Sequence, residues 1–203
     1  MKKILFINAC VRHKSRTKRL ADALLGRLTE CYAHNGGSKI RELVLKEEER
    51  GLRPLHDSDL VRRERAIEKQ SFDDPEYFYA EEFSKADIVV IAAPYWDLSF
   101  PAILKMYFEH ICVNGITFRY KENGEPEGLC HAQMLYYVMT SGGKVGSLNL
   151  GYEYVKSLAR LMFGIKDTQC VGAVGLDLKG NDAEAALKKT EEIIATMKIP
   201  SGQ

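Results

Sequence analysis

The sequence predicts an α/β protein built as a doubly wound three-layer sandwich, with helices on both faces of a five-stranded parallel sheet. Five short apolar segments have the continuity of strands that are buried on both faces. Segments with helical periodicity separate these strands, which favours parallel pairing because parallel strands need a long crossover connection. The chain has 203 residues, so we expect residues 1–203 to form a single domain with strand order 2-1-3-4-5.

The first half of the chain supplies two strands, one helix and a polar insertion. Leu20, Leu24 and Leu28 recur on one face of the helix, and a pair of glycines follows its end. The insertion after the second strand is rich in charge and has little apolar core of its own. The strands are predicted at 3–7 and 40–45, the helix at 17–32 and the insertion at 46–72.

The second half of the chain alternates helices and strands. Its first strand, in the segment DIVVIAAP, is a continuous β-branched run and is therefore expected at the centre of the sheet. Asp74 followed by Pro75 is typical of a helix start, and Asp182 is a candidate N-cap of the last helix. The strands are predicted at 87–94, 133–139 and 170–176, and the helices at 74–86, 101–113, 151–163 and 182–197.

The composition argues against several classes of protein. Lysine and arginine number 29 against 28 acidic residues, and this balance gives no field for nucleic acid or an anionic membrane. There is no apolar run of about 18 residues, so we expect no membrane span. The five cysteines are widely spaced and lack a C-x-x-C pair, which argues against disulfides and zinc. We therefore expect a cytoplasmic protein without a metal site.

Three loops, which follow the first, third and fourth predicted strands, hold the candidate site, because ligands of such sheets bind outside the carboxyl ends of the strands. The first loop, NACVRHKSRTK, runs into the first helix, where free N–H groups and the hydroxyls of Ser15 and Thr17 suit a phosphate. Arg12, Lys14 and Arg16 add positive charge. Alternatively, a hydroxyl only caps the helix and the cations are solvated. The loop contains neither the dinucleotide-binding nor the P-loop motif.

The other two loops favour a flat ligand. Tyr95 and Trp96 follow the central strand and are large enough to flank a planar ring, although they equally fit a simple capping of the sheet. Gly142 and Gly143 permit a close backbone approach and positive φ, with N–H groups for ligand carbonyls. The alternative for this glycine pair is a plain turn.

An ordered set of motifs resembles the flavodoxin-like NAD(P)H:quinone oxidoreductases and FMN-dependent azoreductases. The motifs are A-P-Y-W-D-L at 93–98, L-K-M-Y-F-E at 104–109, G-I-T-F-R-Y at 115–120 and P-E-G-L at 126–129. The first loop and residues 140–143 also match in place. The resemblance implies a flavodoxin-like fold, FMN as cofactor, NADH or NADPH as electron donor, and a homodimer with active sites at the subunit interface.

The resemblance further implies roles for individual residues. Ser15, Arg16 and Thr17 would hold the FMN phosphate, residues 95–98 would border the isoalloxazine, and residues 141–143 would meet its pyrimidine edge. Phe118 and Tyr120 would belong to the substrate pocket, with the flavin of the partner subunit as one place for Phe118 to pack. The implied cofactor-binding residues are Cys10, Ser15, Arg16, Thr17, Pro94, Tyr95, Trp96, Asp97, Leu98, Thr140, Ser141, Gly142 and Gly143. The chain departs from the family pattern at Cys10, Asp97 and Leu98.

The implied reaction passes hydride from NAD(P)H to N5 of the flavin, and then two electrons, by a ping-pong mechanism, to a quinone, azo compound or similar flat acceptor. No side chain is assigned as catalytic; Tyr95, Asp97, Tyr120 and His131 are candidate proton donors. A flavodoxin-type electron carrier without direct NAD(P)H turnover is the alternative function. A flavin-free sensor and a phosphoacceptor receiver domain are further alternatives. Cys10 lies in a basic loop near a helix start, a setting that lowers a thiol pKa.

Overall fold

The computed structural model describes residues 1–48, 52–147 and 149–200. Its strands are β1 (Lys2–Asn8), β2 (Ser38–Val44), β3 (Ile88–Ala92), β4 (Phe118–Tyr120), β5 (Pro126–Gly128), β6 (Met134–Thr140) and β7 (Asp167–Ala173). Five of them form one parallel sheet in the order β2-β1-β3-β6-β7, and β4 and β5 form a separate antiparallel hairpin. Since β6 and β7 are the fourth and fifth strands of the large sheet, the predicted strand order is confirmed.

Helices cover both faces of this sheet. They are α1 (Arg16–Tyr32), α2 (Asp57–Lys69), α3 (Phe78–Ser84), α4 (Ala102–Ile111), α5 (Leu150–Leu161) and α6 (Ala183–Thr196). Side chains of β1 alternate between the two cores: Ile4 and Phe6 pack with α1 and α6, whereas Leu5 and Ile7 pack with α3, α4 and α5. All four are buried, which explains why the strand is a continuous apolar run.

The predicted caps lie at helix starts. Asp74 accepts a hydrogen bond from the backbone N–H of Glu76, and Pro75 begins a short 3-10 helix that leads into α3. Asp182 accepts from the N–H groups of Glu184 and Ala185 at the start of α6. Each cap is a contact within a few residues of chain, so the local sequence is enough to predict it.

Helix α2 lies inside the segment that was predicted only as a polar insertion. Asp59 on this helix is buried, and the guanidinium groups of Arg53 and Arg62 donate to its two carboxylate oxygens at 2.5–2.7 Å. Ion pairs to a buried carboxylate therefore hold this helix in place. Sequence periodicity detects an apolar stripe, and this helix does not depend on one. Residues 49–51 of the predicted insertion lie outside the described residues.

Strand β7 and the β4–β5 hairpin also differ from expectation. Strand β7 begins at Asp167, three residues before the predicted start, because Asp167 pairs with Met134 at the edge of the sheet. The first residue of this edge strand is exposed and polar, so no apolar run marks it. The hairpin, with three residues in each strand, was not predicted.

The parallel arrangement brings the loops after β1, β3, β6 and β7 to one edge of the sheet. None of the described helices is long and apolar enough to cross a membrane. Within the same residues, no cluster of three or more His, Cys, Asp or Glu side chains is arranged to hold a metal ion. In doubly wound sheets, ligands bind at this carboxyl edge.

Candidate functional site

A cavity of about 390 Å³ lies at this edge, between the loops that follow β1, β3, β6 and β7. Its volume is in the range of small-ligand pockets. The residues predicted from sequence that line it are Ser15, Arg16, Thr17, Pro94, Tyr95, Trp96, Thr140, Ser141 and Gly142. The structure therefore brings the three predicted loops together around one space.

The start of α1 forms one end of the cavity. Ser15 is the N-cap, and its hydroxyl accepts a hydrogen bond of 3.2 Å from the backbone N–H of Lys18. A hydroxyl that accepts a hydrogen bond still has its own O–H to donate, so capping and anion binding are compatible. The N–H groups of Arg16 and Thr17 lie in the first turn, where a helix offers them no acceptor. This end of the cavity therefore presents hydrogen-bond donors and positive charge.

Thr17 and Thr140 meet beneath the cavity. Their Oγ1 atoms lie 2.6 Å apart, and both side chains are buried. The Thr17 hydroxyl is thus engaged with β6, and the contribution of Thr17 to an anion would come from its backbone N–H.

The loop after β3 makes a tight turn. Trp96 and Ser99 exchange backbone hydrogen bonds of 3.1 and 2.7 Å, which leaves Asp97 and Leu98 as the two central residues. Both have positive φ, 49° and 68°, a conformation that glycine and asparagine adopt more readily than leucine. Asp97 and Leu98 are exposed and do not line the cavity, whereas Tyr95 and Trp96 do.

The first three residues of the loop after β6 are hydrogen-bonded to the loop after β7. The N–H groups of Gly175, Leu176 and Asp177 donate to the carbonyls of Gly143, Ser141 and Gly142, at 2.9–3.0 Å. These carbonyls are therefore occupied, and the N–H groups of the glycine pair are the atoms left for a ligand. Neither Gly142 nor Gly143 has positive φ, so the loop does not use the positive φ that glycine permits at these two positions.

Gly142 lies close to the side chain of Asp177. A Cβ atom at Gly142 would lie 2.3 Å from Oδ2 of Asp177, so the close approach that is visible here is to a side chain of the protein itself. Asp177 also accepts a 2.7 Å hydrogen bond from Nη1 of Arg16, and both residues line the cavity. Sequence reasoning missed Leu176 and Asp177; the glycine that follows β7, at position 175 with φ 74°, was the available signal.

Cys10 lies outside the cavity wall. Its side chain is 3% exposed, and its backbone N–H donates to Oδ1 of Asn8 at 3.0 Å. Burial raises the pKa of the Cys10 thiol, although Ser15 and Lys18 act in the opposite direction. The expectation of a lowered thiol pKa was therefore wrong, because desolvation outweighs the nearby positive charge. Gly143 also stands outside the lining, and its carbonyl accepts from the Ser141 hydroxyl.

Phe118 and Tyr120 are on the β4–β5 hairpin, which is anchored near the amino ends of β6 and β7. Gly128 of the hairpin packs directly on Gly164, and the N–H of His131 donates to the carbonyl of Ser84. Phe118 is buried and Tyr120 is 57% exposed. Neither these two residues nor His131 line the cavity of their own chain.

The residues of the cavity fit FMN, the group that the sequence resemblance implies. Hydrogen-bond donors and the Arg12, Lys14 and Arg16 cations at the α1 end suit a phosphate. Tyr95 and Trp96 offer aromatic surface for a flat ring. The backbone N–H groups of Gly142 and Gly143 remain for ring carbonyls, whereas the N–H of Ser141 donates to the carbonyl of Ala173 at 3.0 Å.

Comparison with known proteins agrees with this geometry. Residues 2–197 match the model of a family described as having a flavodoxin-like fold. An FMN-dependent NADH:quinone oxidoreductase from Coprothermobacter proteolyticus is 32% identical over 95% of this chain and 98% of its own length. A relative from Clostridium acetobutylicum, FMN-dependent NADH:quinone oxidoreductase 2, is 41% identical, but the match spans only 58% of that relative and 56% of this chain. The crystal structure of an azoreductase from Bacillus anthracis shares the fold, with a TM-score of 0.78 and 24% identity over 97% of this chain and 100% of that one.

Proposed function

The chain belongs to the flavodoxin-like fold family, and we propose that it is an FMN-dependent NAD(P)H oxidoreductase that passes two electrons to a quinone, azo compound or similar flat acceptor. The observation that carries this proposal is the single cavity that joins an anion-binding helix start to an aromatic loop. The activity named for relatives that match over nearly their full length supports it.

The protein's part in this function is to bind and orient. Ser15, Arg16 and the first N–H groups of α1 hold the cofactor phosphate, with Arg12 and Lys14 adding charge. Tyr95 and Trp96 border the ring, and the N–H groups of the Gly142–Gly143 pair bind its pyrimidine edge. When bound, FMN supplies the hydride-transfer and electron-transfer chemistry. Trp96 is 39% exposed, so the wall that it forms leaves an approach for donor and acceptor in turn.

No side chain is required as an acid or base in this proposal. Of the candidate proton donors, Tyr95 is the one that lines the cavity. Asp97, Tyr120 and His131 stand outside it, and they would reach a bound substrate only through movement or from another subunit.

The proposed enzyme is a cytoplasmic homodimer. Leu150, Tyr154 and Leu161 form an exposed stripe on one face of α5. This stripe continues towards Leu98, because the ring of Phe100 beside the tight turn packs on Tyr154 with centroids 5.6 Å apart. A second copy that covers this surface would bring apolar groups, among them Tyr120, next to the cavity. Five free cysteine thiols accord with a reducing compartment.

An anaerobic titration tests the function. Purified protein receives FMN and then NADH or NADPH, and the visible spectrum is recorded. We expect bound flavin to bleach and to recover when a quinone is added. Bound flavin that neither nucleotide reduces would support the electron-carrier alternative instead. If the protein binds no flavin, the proposed function is wrong, and only the assignment of the fold still stands.

A further inference from the structure

A second cavity of about 380 Å³ adjoins the first, over the carboxyl ends of β1 and β2. We call it the basic groove. It shares Arg12, Lys14 and Ser15 with the candidate flavin cavity, so the two spaces meet at the α1 end. Its other lining residues include His13 and Lys46, which do not line the flavin cavity.

The acidic side chains of this groove are largely engaged within the protein. Asp22 accepts from Nζ of Lys18 at 2.7 Å, and Glu42 accepts from Nδ2 of Asn8 at 2.9 Å. Lys18 also lies 3.8 Å from Glu42, so these two carboxylates surround a single cation.

Three other cations of the groove, unlike Lys18, have no carboxylate partner in the described parts of the chain. Arg12, Lys14 and Lys46 form no ion pair with any residue in the described parts of the chain, and Glu47 is the one acidic lining residue not engaged by a cation there. Arg19, by contrast, is paired with Glu184 and Glu191 on α6. The groove therefore keeps an excess of positive charge where it joins the flavin cavity.

We propose that the basic groove binds the diphosphate and adenosine half of NAD(P)H, while the nicotinamide lies in the flavin cavity. This inference rests on the proposed function. A phosphate at the α1 N-terminus takes its direct donors from Ser15 and Arg16. Arg12 and Lys14 at the junction bring more positive charge than one phosphate needs, so they can also face a second anionic group. In the dinucleotide, the diphosphate joins the nicotinamide half to the adenosine half. With one half in each cavity, the diphosphate would lie at the junction of the two cavities. Lys46 then faces the adenosine end.

Lys46→Gln tests this assignment, with Lys39→Gln as the matched control. Lys39 is an exposed lysine at the opposite end of β2, away from the groove. Steady-state kinetics compare NADH with reduced nicotinamide mononucleotide, a donor that lacks the adenylate half. We expect the KM for NADH to rise about three-fold in Lys46→Gln, the size of one partly exposed ionic contact. The KM for the truncated donor and the Kd for FMN should not change.

Titration with ADP-ribose measures the groove without any turnover. We expect Lys46→Gln to bind ADP-ribose about three-fold more weakly than the parent and Lys39→Gln to bind it equally well. No binding by the parent, or equal binding by the parent and Lys46→Gln, would overturn the groove assignment. Failure of donor oxidation with normal ADP-ribose binding would count against the proposed function alone.

Discussion

Thr17 Oγ1 and Thr140 Oγ1 lie 2.6 Å apart in a buried hydrogen bond that joins the first turn of α1 to the carboxyl end of β6. Residues of both elements line the candidate flavin cavity. This hydrogen bond therefore both stabilises the packing of α1 on β6 and fixes the relative position of two elements that line the cavity.

Thr17→Val should lower the free energy of unfolding by about 1–3 kcal/mol, because the isosteric change leaves the Thr140 hydroxyl buried without a partner. Urea denaturation measures this loss. The double variant Thr17→Val/Thr140→Val should lose less than the sum of the single variants, since neither hydroxyl is then left unpaired. Strictly additive losses would mean that the hydroxyls do not interact.

Arg16→Gln should weaken FMN binding about three- to ten-fold, because it removes a charged donor from the phosphate end of the cavity. Riboflavin, which has no phosphate, should bind equally well to the variant and the parent. Quenching of flavin fluorescence gives both dissociation constants. Arg41→Gln on exposed β2 is the control for lost surface charge. Equal weakening of riboflavin and FMN would argue against a phosphate contact at Arg16.

Gly142→Ala should break the Arg16–Asp177 ion pair and cost at most about 1 kcal/mol of stability, since the new Cβ meets the exposed Asp177 carboxylate, which must rotate away. Asp177→Ala in the same chain should restore the stability, as thermal unfolding would show. A Gly142 variant that loses flavin binding could do so through the displaced Asp177 side chain. The loss therefore indicates direct contact between residue 142 and the flavin only if it also occurs in the Asp177→Ala background. A double variant as unstable as Gly142→Ala would disprove the clash.

In the Asp59→Asn variant, the free energy of unfolding should depend less on pH in the acid range. The Arg53 guanidinium, aided by the His56 backbone N–H and Arg62, holds the pKa of Asp59 well below its usual range. A carboxylate with a depressed pKa stabilises the fold above its unfolded pKa of about 4, and that contribution is lost as the pH falls below it. The variant should therefore be less stable at pH 7 and show a shallower decline in acid. Chemical denaturation at several pH values measures both effects, and parallel curves for variant and parent would contradict them.

Leu161→Glu should convert the proposed dimer into a monomer, because Leu161 is 65% exposed on the apolar stripe of α5 and a charge there would be desolvated in the interface. Analytical ultracentrifugation reports the mass. Lys166→Glu, beyond the end of the same helix and exposed, is the control. A parent protein that sediments as a monomer at high concentration would rule the dimer out.

Sequence patterns predicted the elements whose signals are local. The runs around Ile4–Ile7 and Val89–Ile91 are apolar because both faces of these strands are covered, and Asp74 and Asp182 cap helices that begin at the next residue. Helix α2 escaped prediction because Asp59 is buried by arginines, and charged residues in sequence indicate exposure. Strand β7 was placed three residues late because its polar first residue is exposed at the edge of the sheet.

The sequence by itself determined the layer architecture, the strand order and the three loops at the carboxyl edge, because burial on two faces and helix capping leave periodic traces in the chain. Only the tertiary structure decided that Asp177 lies against Gly142 and Arg16, that Cys10 is buried, and that Phe118 does not line the cavity. The reason is that these contacts join segments far apart in the chain. Pairing of β6 with β7 creates the first, the stacking of the loop on the core creates the second, and the course of the chain after α4 creates the third.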